Sequence, residues 1–301
     1  MYLGIDIGGT YIKYAYIDDT FHIQRVWKKE TMDFKDKNGF YDELCKGLNT
    51  ENISLIGISV PGIVDDITGA LLSKAAKKIE VLKGTIPAQE IEKRLKRPAK
   101  ALNDGKAAGY CEVRMGNGKN TASSAYWIIG TGIGGCLCKG TEIITGANGL
   151  AGEFSHIPIR RTDGIWDVLG ENASAGALSR IYNIRYKKSK KPPVQTAEEV
   201  VALSRKGDAA AINAVHEWIH YQVQGLQILV SIYNPEVICI GGAISHDESL
   251  IACIRQAFVE ADYWFSDILT TRIEKCQYGS NANLLGATMY AAKSGNKEDI
   301  Y

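Results

Sequence analysis

One pattern occurs twice in this chain: an apolar strand, a short glycine-containing turn and a second strand. The first copy is LGIDIGGTYIKYAYID, from Leu3 to Asp18. The second is AYWIIGTGIGG, from Ala125 to Gly135, and Cys136 to Lys139 resume a strand after it. β-Branched and aromatic residues on both sides of such a turn predict a β-hairpin. Because the copies are about one domain length apart, we expect two related lobes.

The turn of the first copy has the chemistry of a phosphate site. Asp6 lies inside the strand, and Gly8, Gly9, Thr10 and Lys13 follow it. The glycines expose backbone N–H groups at close approach, the threonine adds a hydroxyl and the lysine adds an ammonium. These groups suit a nucleotide phosphate that carries a divalent metal, with the carboxylate facing the hydrated metal. The alternative is an ordinary tight hairpin whose acid is satisfied within the turn.

Two other glycine turns extend this interpretation. The turn of the second copy contains Gly130, Thr131, Gly132 and Gly134. Two such turns facing each other across a cleft would bind a polyphosphate from both sides. The predicted strand Glu236–Ile240 runs into Gly241 and Gly242, where a flat group such as adenine can lie against the backbone. The alternative for this glycine pair is a tight turn.

Two predicted strand ends mark a second candidate region. The buried strand Ile53–Val60 ends in Pro61-Gly62, where the chain must turn. Asn103-Asp104 follows a later strand and opens a helix. Since open α/β sheets bind ligands at the carboxyl ends of their strands, an ionised Asp104 there suits general-base catalysis. The alternative is that Asp104 is the N-cap of the helix.

The glycine-rich region Thr145–Leu178 is predicted to be one long irregular loop. Long loops in compact domains are often functional, and this one contains Glu153, His156 and Glu171. Structural roles stay open, with Glu171 as a helix cap or surface acid and His156 as a core histidine. A zinc site is disfavoured because the histidine has no neighbouring cysteines.

Composition excludes several classes of protein. The 301 residues are 45% hydrophobic and 23% charged, as in globular proteins, and the net charge of +1 argues against a nucleic-acid protein held by a basic field. No apolar run is long enough to span a bilayer, and we expect no signal peptide because the first predicted strand begins at Leu3. Seven scattered cysteines are typical of reduced core thiols, so we expect a cytoplasmic protein. The basic run Arg185–Lys191 is predicted to be a solvated connector.

The order of the motifs resembles the ROK sugar kinases, bacterial members of the actin/hexokinase/Hsp70 ATPase superfamily. The motifs are DIGGTYIKYAYID, SVPG, ND at 103–104, GTGIGG, GLAGEFSH and IGGAIS, and they extend from Leu3 to about Ala292. The resemblance implies an α/β fold of two ribonuclease H-like lobes with ATP and sugar in the cleft between them. It also implies a small lobe of residues 1–115 joined by the C-terminal helix 283–301, a large lobe of residues 116–282, and a homodimer.

Carried across by position, the resemblance implies a role for each candidate residue. Asp104 matches the catalytic base and touches the substrate, and Gly62 matches the loop that floors the sugar site. The groups that match sugar-hydroxyl binders are Asn103, Glu153, His156 and Glu171. The turns that match ATP-binding segments, together with the nearby Lys13, are Asp6, Gly8, Gly9, Thr10, Gly130, Thr131, Gly132, Gly134, Gly241 and Gly242. The implied cofactors are ATP and Mg²⁺, with Asp6 holding the metal through water.

Three departures from the family pattern matter. The cysteine cluster that holds zinc in many relatives is absent, since Asp163–Glu171 reads DGIWDVLGE, so no structural zinc is expected. Lys106 stands where relatives usually carry asparagine, and such a cation would hold Asp104 ionised or contact a sugar substituent or phosphate. The segment Ser73–Gly84 lacks the Asn-Leu-Pro sequence that many glucose-using relatives place over the sugar. Substrate identity therefore stays open.

The predicted reaction is transfer of the ATP γ-phosphoryl group to a hydroxyl of a hexose such as glucose. N-acetylmannosamine and a β-glucoside are alternative substrates. A sugar-sensing transcriptional regulator is disfavoured because such relatives carry a DNA-binding segment ahead of the first turn, whose pattern here begins at residue 3. A sugar-binding protein that has lost catalysis is the other alternative, motivated by Lys106.

Overall fold

The computed structural model describes residues 1–74, 77–186, 193–261 and 266–295. Three of the predictions above fall partly on other residues. Residues 75–76 of the segment Ser73–Gly84, 187–191 of the basic run and 296–301 of the C-terminal helix lie outside the described residues.

Contacts between residues divide the chain into two compact units. Unit 1 comprises Met1–Gly116, Thr141–Ala151 and the chain from Ser280 onward. Unit 2 comprises Asn117–Gly140 and Gly152–Gly279. Each unit has its own hydrophobic core, and the described strands include two five-stranded sheets.

Strands and helices follow one another along the chain as in an α/β protein. The described strands are β1 (Tyr2–Ile7), β2 (Tyr11–Ile17), β3 (Ile23–Glu30), β4 (Leu55–Val60), β5 (Ala99–Asn103), β6 (Ser123–Ile129), β7 (Ile133–Lys139), β8 (Glu142–Ile144), β9 (Pro158–Arg160), β10 (Trp166–Val168), β11 (Val237–Gly241) and β12 (Arg272–Lys275). The described α-helices are α1 (Lys37–Cys45), α2 (Pro87–Leu95), α3 (Asp104–Met115), α4 (Leu169–Ala173), α5 (Ala175–Ile181), α6 (Ala197–Arg205), α7 (Ala209–Tyr233), α8 (Glu248–Glu260) and α9 (Ala282–Gly295).

The two five-stranded sheets have the same topology. Their orders are β3-β2-β1-β4-β5 and β8-β7-β6-β11-β12. In each sheet the first two strands form an antiparallel hairpin, and two later strands run parallel to the first. The repeat predicted from the two glycine turns is therefore confirmed. This topology brings the carboxyl ends of the parallel strands to one edge of each sheet, where α/β proteins bind ligands.

In unit 1 the helix α9 packs on β1, β4 and α3. A β carbon at Gly57 of β4 would lie 2.4 Å from the backbone nitrogen of Thr288, so only glycine lets the helix approach this closely. The last described helix thus packs on the sheet that the first strands of the chain form.

The amphipathic pattern of residues 208–233 predicts a long helix, and the structure contains it as α7 of unit 2. Its N-cap Asp208 accepts a hydrogen bond from the backbone of Ala211, and Asn234 ends it in the left-handed conformation. Trp127 of β6 and Trp218 of α7 are fully buried in the core. The Trp127 indole donates to the Gln222 side chain at 2.8 Å, which satisfies both buried polar groups.

The prediction of one irregular loop over 145–178 is wrong. This region contains the hairpin β9–β10, a 3₁₀ turn at Phe154–His156 and the helices α4 and α5. Strands of three residues are too short to produce an alternating pattern, which is why the sequence does not reveal them. The buried side chains of Ile159 and Leu169 tie the region to the core of unit 2.

Two smaller predictions also need correction. The apolar and β-branched residues of Ile268–Ile273 predict a strand, but the strand is observed at Arg272–Lys275. Ile273 pairs with Ile238 of β11, whereas Ile268 is 78% exposed. All seven cysteines are free thiols, but Cys253 on α8 is exposed rather than in the core. Among the described helices, none is long and apolar enough to cross a membrane.

Candidate active site

The first glycine turn joins β1 to β2 in unit 1. Asp6 is only 8% exposed, and its Oδ1 accepts hydrogen bonds from the Ser59 hydroxyl at 2.8 Å and the Asn283 amide at 3.2 Å. A β carbon at Gly8 would lie 2.7 Å from the carbonyl oxygen of Tyr11, so the turn requires glycine there. Gly9 is partly exposed. Both interpretations of this turn, as a satisfied hairpin and as a phosphate site, fit these contacts.

Lys13 and Thr10 flank the same turn. The Lys13 ammonium donates to the carbonyl oxygen of Ser280 at 3.0 Å and lies 3.9 Å from the Asp6 carboxylate. The Thr10 side chain is exposed, and its carbonyl accepts a hydrogen bond from the backbone of Thr31. The lysine is therefore directed toward Asp6 and the start of α9.

The oxygen chemistry at Asp6 suits Mg²⁺. This ion prefers oxygen ligands and is typically held by one or two carboxylates together with phosphates and water. Among the residues that the structure describes, no group of three or more His, Cys, Asp or Glu side chains is arranged to hold a metal ion. A Mg²⁺ ion at Asp6 would thus need nucleotide phosphates or water as its other ligands.

The second part of unit 1 is the junction of β5 and α3. The Asn103 side-chain amide donates to the carbonyl oxygen of Gly62 at 2.9 Å, and its oxygen accepts from the backbone of Lys106 at 3.0 Å. Gly62 has a φ of +98°, which favours glycine at the turn after β4. The interpretation of Asp104 as the N-cap is wrong, because the amide of Asn103 occupies that role.

Asp104 is the first residue of α3 and is partly exposed. Its Oδ1 accepts hydrogen bonds from the backbone of Gly105 at 2.8 Å and from the Asn103 amide at 3.1 Å. The partial positive charge at a helix N-terminus stabilises an ionised carboxylate. These two hydrogen bonds therefore orient the Asp104 side chain at the start of α3.

The Lys106 ammonium contacts the backbone of unit 1, and its expected effect on Asp104 or on a ligand stays a prediction. The side chain is 3% exposed, and its ammonium donates to the carbonyl oxygen of Gly149 at 2.7 Å. It is thus directed into unit 1, toward the segment Thr141–Ala151.

The second glycine turn joins β6 to β7 in unit 2. Gly130 donates to the carbonyl oxygen of Gly132 at 2.9 Å and accepts from the first residue of α5, Ala175, at 3.0 Å. A β carbon at Gly132 would lie 2.5 Å from the Ser155 hydroxyl, which accepts a hydrogen bond from the backbone of Ile133. Thr131 at the tip is exposed.

Gly134 differs from the other glycines of this pattern. It lies within β7 rather than in the turn, and a β carbon there would meet no atom within 4 Å. Packing within the protein therefore gives no reason for glycine at this position.

The three predicted polar residues of the region 145–178 lie in unit 2. His156 is exposed at the end of the 3₁₀ turn, so its interpretation as a core histidine is wrong, because a side chain in water is not packed. Within the described part of the chain, the side chains of Glu153 and His156 form no hydrogen bond or ion pair. Glu171 lies in the first turn of α4 and pairs with Arg180 at 3.0 Å, as the surface-acid interpretation expects.

Gly241 and Gly242 form a tight turn at the end of β11. Gly242 has a φ of +96°, and a β carbon there would lie 2.0 Å from the carbonyl oxygen of Ile129. Close packing against β6 explains this glycine, as the tight-turn alternative expects. A role in binding adenosine stays a prediction.

Sequence reasoning missed a polar face of α7 that holds the hairpin β9–β10. The Glu217 carboxylate accepts from Thr162 at 3.0 Å and from Tyr221 at 2.5 Å. The Gln224 amide donates to the carbonyl oxygen of Arg160 at 3.0 Å. Polar residues at positions 217, 221 and 224 share one helix face, a spacing that the sequence contains but that an apolar pattern search ignores.

This docked hairpin connects two of the candidate residues. His156 precedes β9 and Glu171 follows β10, and the base is closed by a hydrogen bond from Leu169 to Ile157 at 2.9 Å. The Asn172 side chain donates to Asp167 of β10, and this hydrogen bond lowers the pKa of that carboxyl below its usual value. The hairpin therefore fixes the path of the chain between His156 and Glu171.

Comparisons with known proteins match nearly the whole chain. The sequence model of the ROK family matches residues 2–294. A glucokinase of Halalkalibacterium halodurans is 28% identical over 285 residues, which cover 85% of this chain and 84% of that protein. An N-acetylgalactosamine kinase of Shewanella is 26% identical, and the match covers 96% of each protein.

A solved structure gives the same result for the fold. The ROK family glucokinase of Streptomyces griseus, in complex with glucose and AMPPNP, superposes with a TM-score of 0.79 at 25% identity. The superposition covers 97% of this chain and 99% of that one. The likeness thus extends over both units and all the motifs rather than a single turn.

Proposed function

The chain belongs to the ROK family, and from that premise we propose that it is an ATP-dependent sugar kinase. The reaction transfers the γ-phosphoryl group of ATP to a hydroxyl of a hexose or hexose derivative. The two relatives named above, a glucokinase and an N-acetylgalactosamine kinase, support this class of reaction. The structural observation that carries the proposal is Asp104, a carboxylate held by two hydrogen bonds at the N-terminus of α3.

Asp104 is the proposed general base. A carboxylate has about four acceptor positions, so it can accept a sugar hydroxyl in addition to its bonds with Gly105 and Asn103. As the hydroxyl oxygen bonds to the γ-phosphorus, the bond from that phosphorus to the bridging oxygen of ADP breaks. The hydroxyl proton passes to Asp104. Positioning and charge stabilisation supply most of the catalysis in such transfers.

The two glycine turns are the proposed phosphate-binding segments. Gly9 and Thr10 would supply backbone N–H groups in unit 1, and Thr131, Gly132 and Gly134 would supply them in unit 2. Gly8 and Gly130 donate their N–H groups within the turns, so they would contribute close approach of the backbone. Asp6 would hold Mg²⁺ through water. When bound, this ion neutralises charge on the transferring phosphoryl group. Lys13 would reinforce the positive field at the first turn, and Gly241 and Gly242 would border the adenosine.

Four polar side chains are proposed to bind sugar hydroxyls. Asn103 both donates and accepts, and Gly62 is held beside it by a hydrogen bond at 2.9 Å. Glu153 and His156 form no side-chain hydrogen bond within the described residues, so their polar atoms are available to a ligand. Glu171 is oriented by Arg180. Together these groups suit a polyol.

Glucose is the first candidate substrate, in line with the glucokinases among the similar proteins. An N-acetylated hexose is the second, because the N-acetylgalactosamine kinase matches 96% of this chain. N-acetylmannosamine and a β-glucoside are further candidate substrates. We also propose a homodimer that works in the cytoplasm, and light scattering during size-exclusion chromatography would measure the oligomeric state.

A coupled ADP-release assay tests the proposed function. Purified protein with MgATP is assayed against glucose, mannose, N-acetylglucosamine, N-acetylgalactosamine, N-acetylmannosamine and a β-glucoside. We expect sugar-dependent ADP release with at least one of these sugars. Release of ADP that no sugar increases, together with sugar binding by calorimetry, would instead favour the inactive sugar-binding alternative.

The first prediction concerns Asp104→Asn. The amide keeps the shape and the hydrogen bonds of the carboxylate but cannot accept a proton. We therefore expect sugar binding to persist while kcat falls about a hundredfold or more, as removal of a general base typically causes. Calorimetry and the coupled assay measure the two quantities. Asp19→Asn, at an exposed position of unit 1, is the matched control, and a wild-type kcat for Asp104→Asn would exclude the role.

A further inference from the structure

The position of Lys106 in the structure is unfavourable for the free energy of folding. Its side chain is 3% exposed, and the described residues form no ion pair with it. Burial of an ammonium without a counter-charge opposes folding. Lys106 also lies in the first turn of α3, where the helix dipole repels a cation. Packing and stability therefore do not account for a lysine at this position.

The hydrogen bonds of Lys106 show which backbone segments it connects. Its ammonium donates to the carbonyl oxygen of Gly149 at 2.7 Å, and its backbone N–H donates to Asn103 at 3.0 Å. Asn103 in turn donates to Gly62 at 2.9 Å and to Asp104 at 3.1 Å. One network thus joins the start of α3, the loop after β4 and the segment Thr141–Ala151, all within unit 1.

Gly149 itself is packed against the loop after β4. Its φ is +80°, and a β carbon there would lie 2.8 Å from the carbonyl oxygen of Val64. Val64 comes two residues after Gly62, the proposed floor of the sugar site, and Glu153 comes four residues after Gly149. The segment that Lys106 binds therefore lies beside one proposed sugar contact and leads directly to another.

We propose that Lys106 is a positioning residue for the sugar site, whose ammonium fixes the backbone at Gly149 against the loop after β4 and the start of α3. This inference rests on the proposed function, because it assigns the sugar contacts to Gly62, Asn103 and Glu153. Lys106 does not touch ATP in this arrangement. Its contribution is expected in the binding of sugar and not in the binding of nucleotide.

Lys106→Met tests this role, because it keeps the length of the side chain and removes the charge and the donors. We expect the KM for the best sugar of the panel to rise about tenfold to a hundredfold, as small displacements of binding groups typically cause. The KM for ATP should stay within about twofold, and Tm should stay constant or rise because a buried charge is gone. Lys100→Met, at an exposed position of β5, is the matched control.

Hydrogen–deuterium exchange gives a readout that does not need turnover. In Lys106→Met we expect faster exchange in residues 145–151 and wild-type exchange in β1 and β4. Gly149→Ala should raise the sugar KM as well, and adding Lys106→Met to it should change little more, because both substitutions displace the same segment.

Two results would overturn the proposal. One is an unchanged sugar KM or unchanged exchange in residues 145–151. The other is a fall in Tm with faster exchange throughout unit 1, which would mean that Lys106 only supports the fold. Failure of the proposed function is a separate result: the wild-type protein would then release no ADP with any sugar, while the exchange measurement would still decide whether Lys106 holds the segment.

Discussion

Two buried acids, Asp6 of unit 1 and Glu217 of unit 2, are compensated differently. Glu217 of unit 2 is 5% exposed and receives hydrogen bonds from Arg185, Thr162, Tyr186 and Tyr221. Asp6 of unit 1 is 8% exposed, and both of its hydrogen bonds come from neutral groups, the Ser59 hydroxyl and the Asn283 amide. The Lys13 ammonium lies beyond hydrogen-bond distance, at 3.9 Å.

This difference separates a structural acid from a candidate functional acid. Glu217 has a cation and three hydroxyls in contact, so its charge is neutralised within the fold. The charge of Asp6 is only partly neutralised, which leaves it able to attract a further cation such as hydrated Mg²⁺. The buried charge of Lys106 is compensated less still, since this lysine has no ion-pair partner among the described residues.

The largest effect is expected for Glu217→Ala. Loss of the carboxylate leaves the Arg185 guanidinium without its partner and removes the acceptor of Thr162. Removal of one partner of a buried ion pair typically costs about 3–5 kcal/mol in the free energy of unfolding. Urea denaturation measures this quantity.

Glu198→Ala is the control for this substitution, because Glu198 is an exposed acid on α6 of the same unit. We expect it to change the free energy of unfolding by less than about 1 kcal/mol. A similarly small change for Glu217→Ala would contradict the view that its charge is neutralised within the fold.

We expect Asp6→Asn to change the stability of the fold little and to lower the activity strongly. An amide oxygen can accept the same hydrogen bonds from Ser59 and Asn283, so the free energy of unfolding should change by less than about 1 kcal/mol. The negative charge that would hold a hydrated metal is lost, so we expect kcat to fall about a hundredfold or more. The Mg²⁺ concentration for half-maximal activity should rise. The coupled assay with a Mg²⁺ titration measures both.

The second copy of the turn supplies the control for Asp6. Ile128 stands two residues before Gly130, as Asp6 stands two residues before Gly8, so the second copy carries no acid at this position. We expect Thr131→Ala in that turn to leave the Mg²⁺ dependence unchanged. If Asp6→Asn keeps a wild-type kcat, Asp6 is a satisfied turn acid and the metal lies elsewhere.

Much of the fold could be predicted because it is encoded locally. The two hairpins and the helix after Asn103 follow from strand patterns and from glycine at the turns, whereas the topology of the lobes was implied by the family resemblance. The motifs around Asp6 and Asp104 were visible for the same reason. The exchange of roles between Asn103 and Asp104 at the helix start is a shift of one residue, which local patterns do not resolve.

The features that the sequence did not reveal depend on contacts between distant residues. The hairpin β9–β10 is held by Glu217 and Gln224, more than fifty residues later in the chain. The sequence places Lys106 two residues after Asp104, but it does not show that the Lys106 ammonium binds the backbone of Gly149. Neither contact follows from periodicity, because periodicity reports only which face of an element is buried.

The smallest effects on stability are expected for alanine substitutions at Gly132 in the second turn and at Gly134 in β7. A β carbon at Gly132 would lie 2.5 Å from the Ser155 hydroxyl, whereas one at Gly134 would meet no atom within 4 Å. Gly132→Ala should therefore lower the free energy of unfolding by about 1–3 kcal/mol, as overpacking does. Gly134→Ala should leave it within about 0.5 kcal/mol of wild type.

The KM for ATP tests whether position 134 needs glycine because a nucleotide phosphate approaches it. If the backbone of β7 approaches a phosphate there, the added methyl group of Gly134→Ala obstructs it, and the KM for ATP rises about tenfold at unchanged stability. Because Gly132 is explained by packing alone, Gly132→Ala is the matched comparison for stability. A wild-type KM for ATP in Gly134→Ala would restrict the second phosphate turn to the three residues between β6 and β7, and the first turn with Asp6 would then carry most of the phosphate contacts.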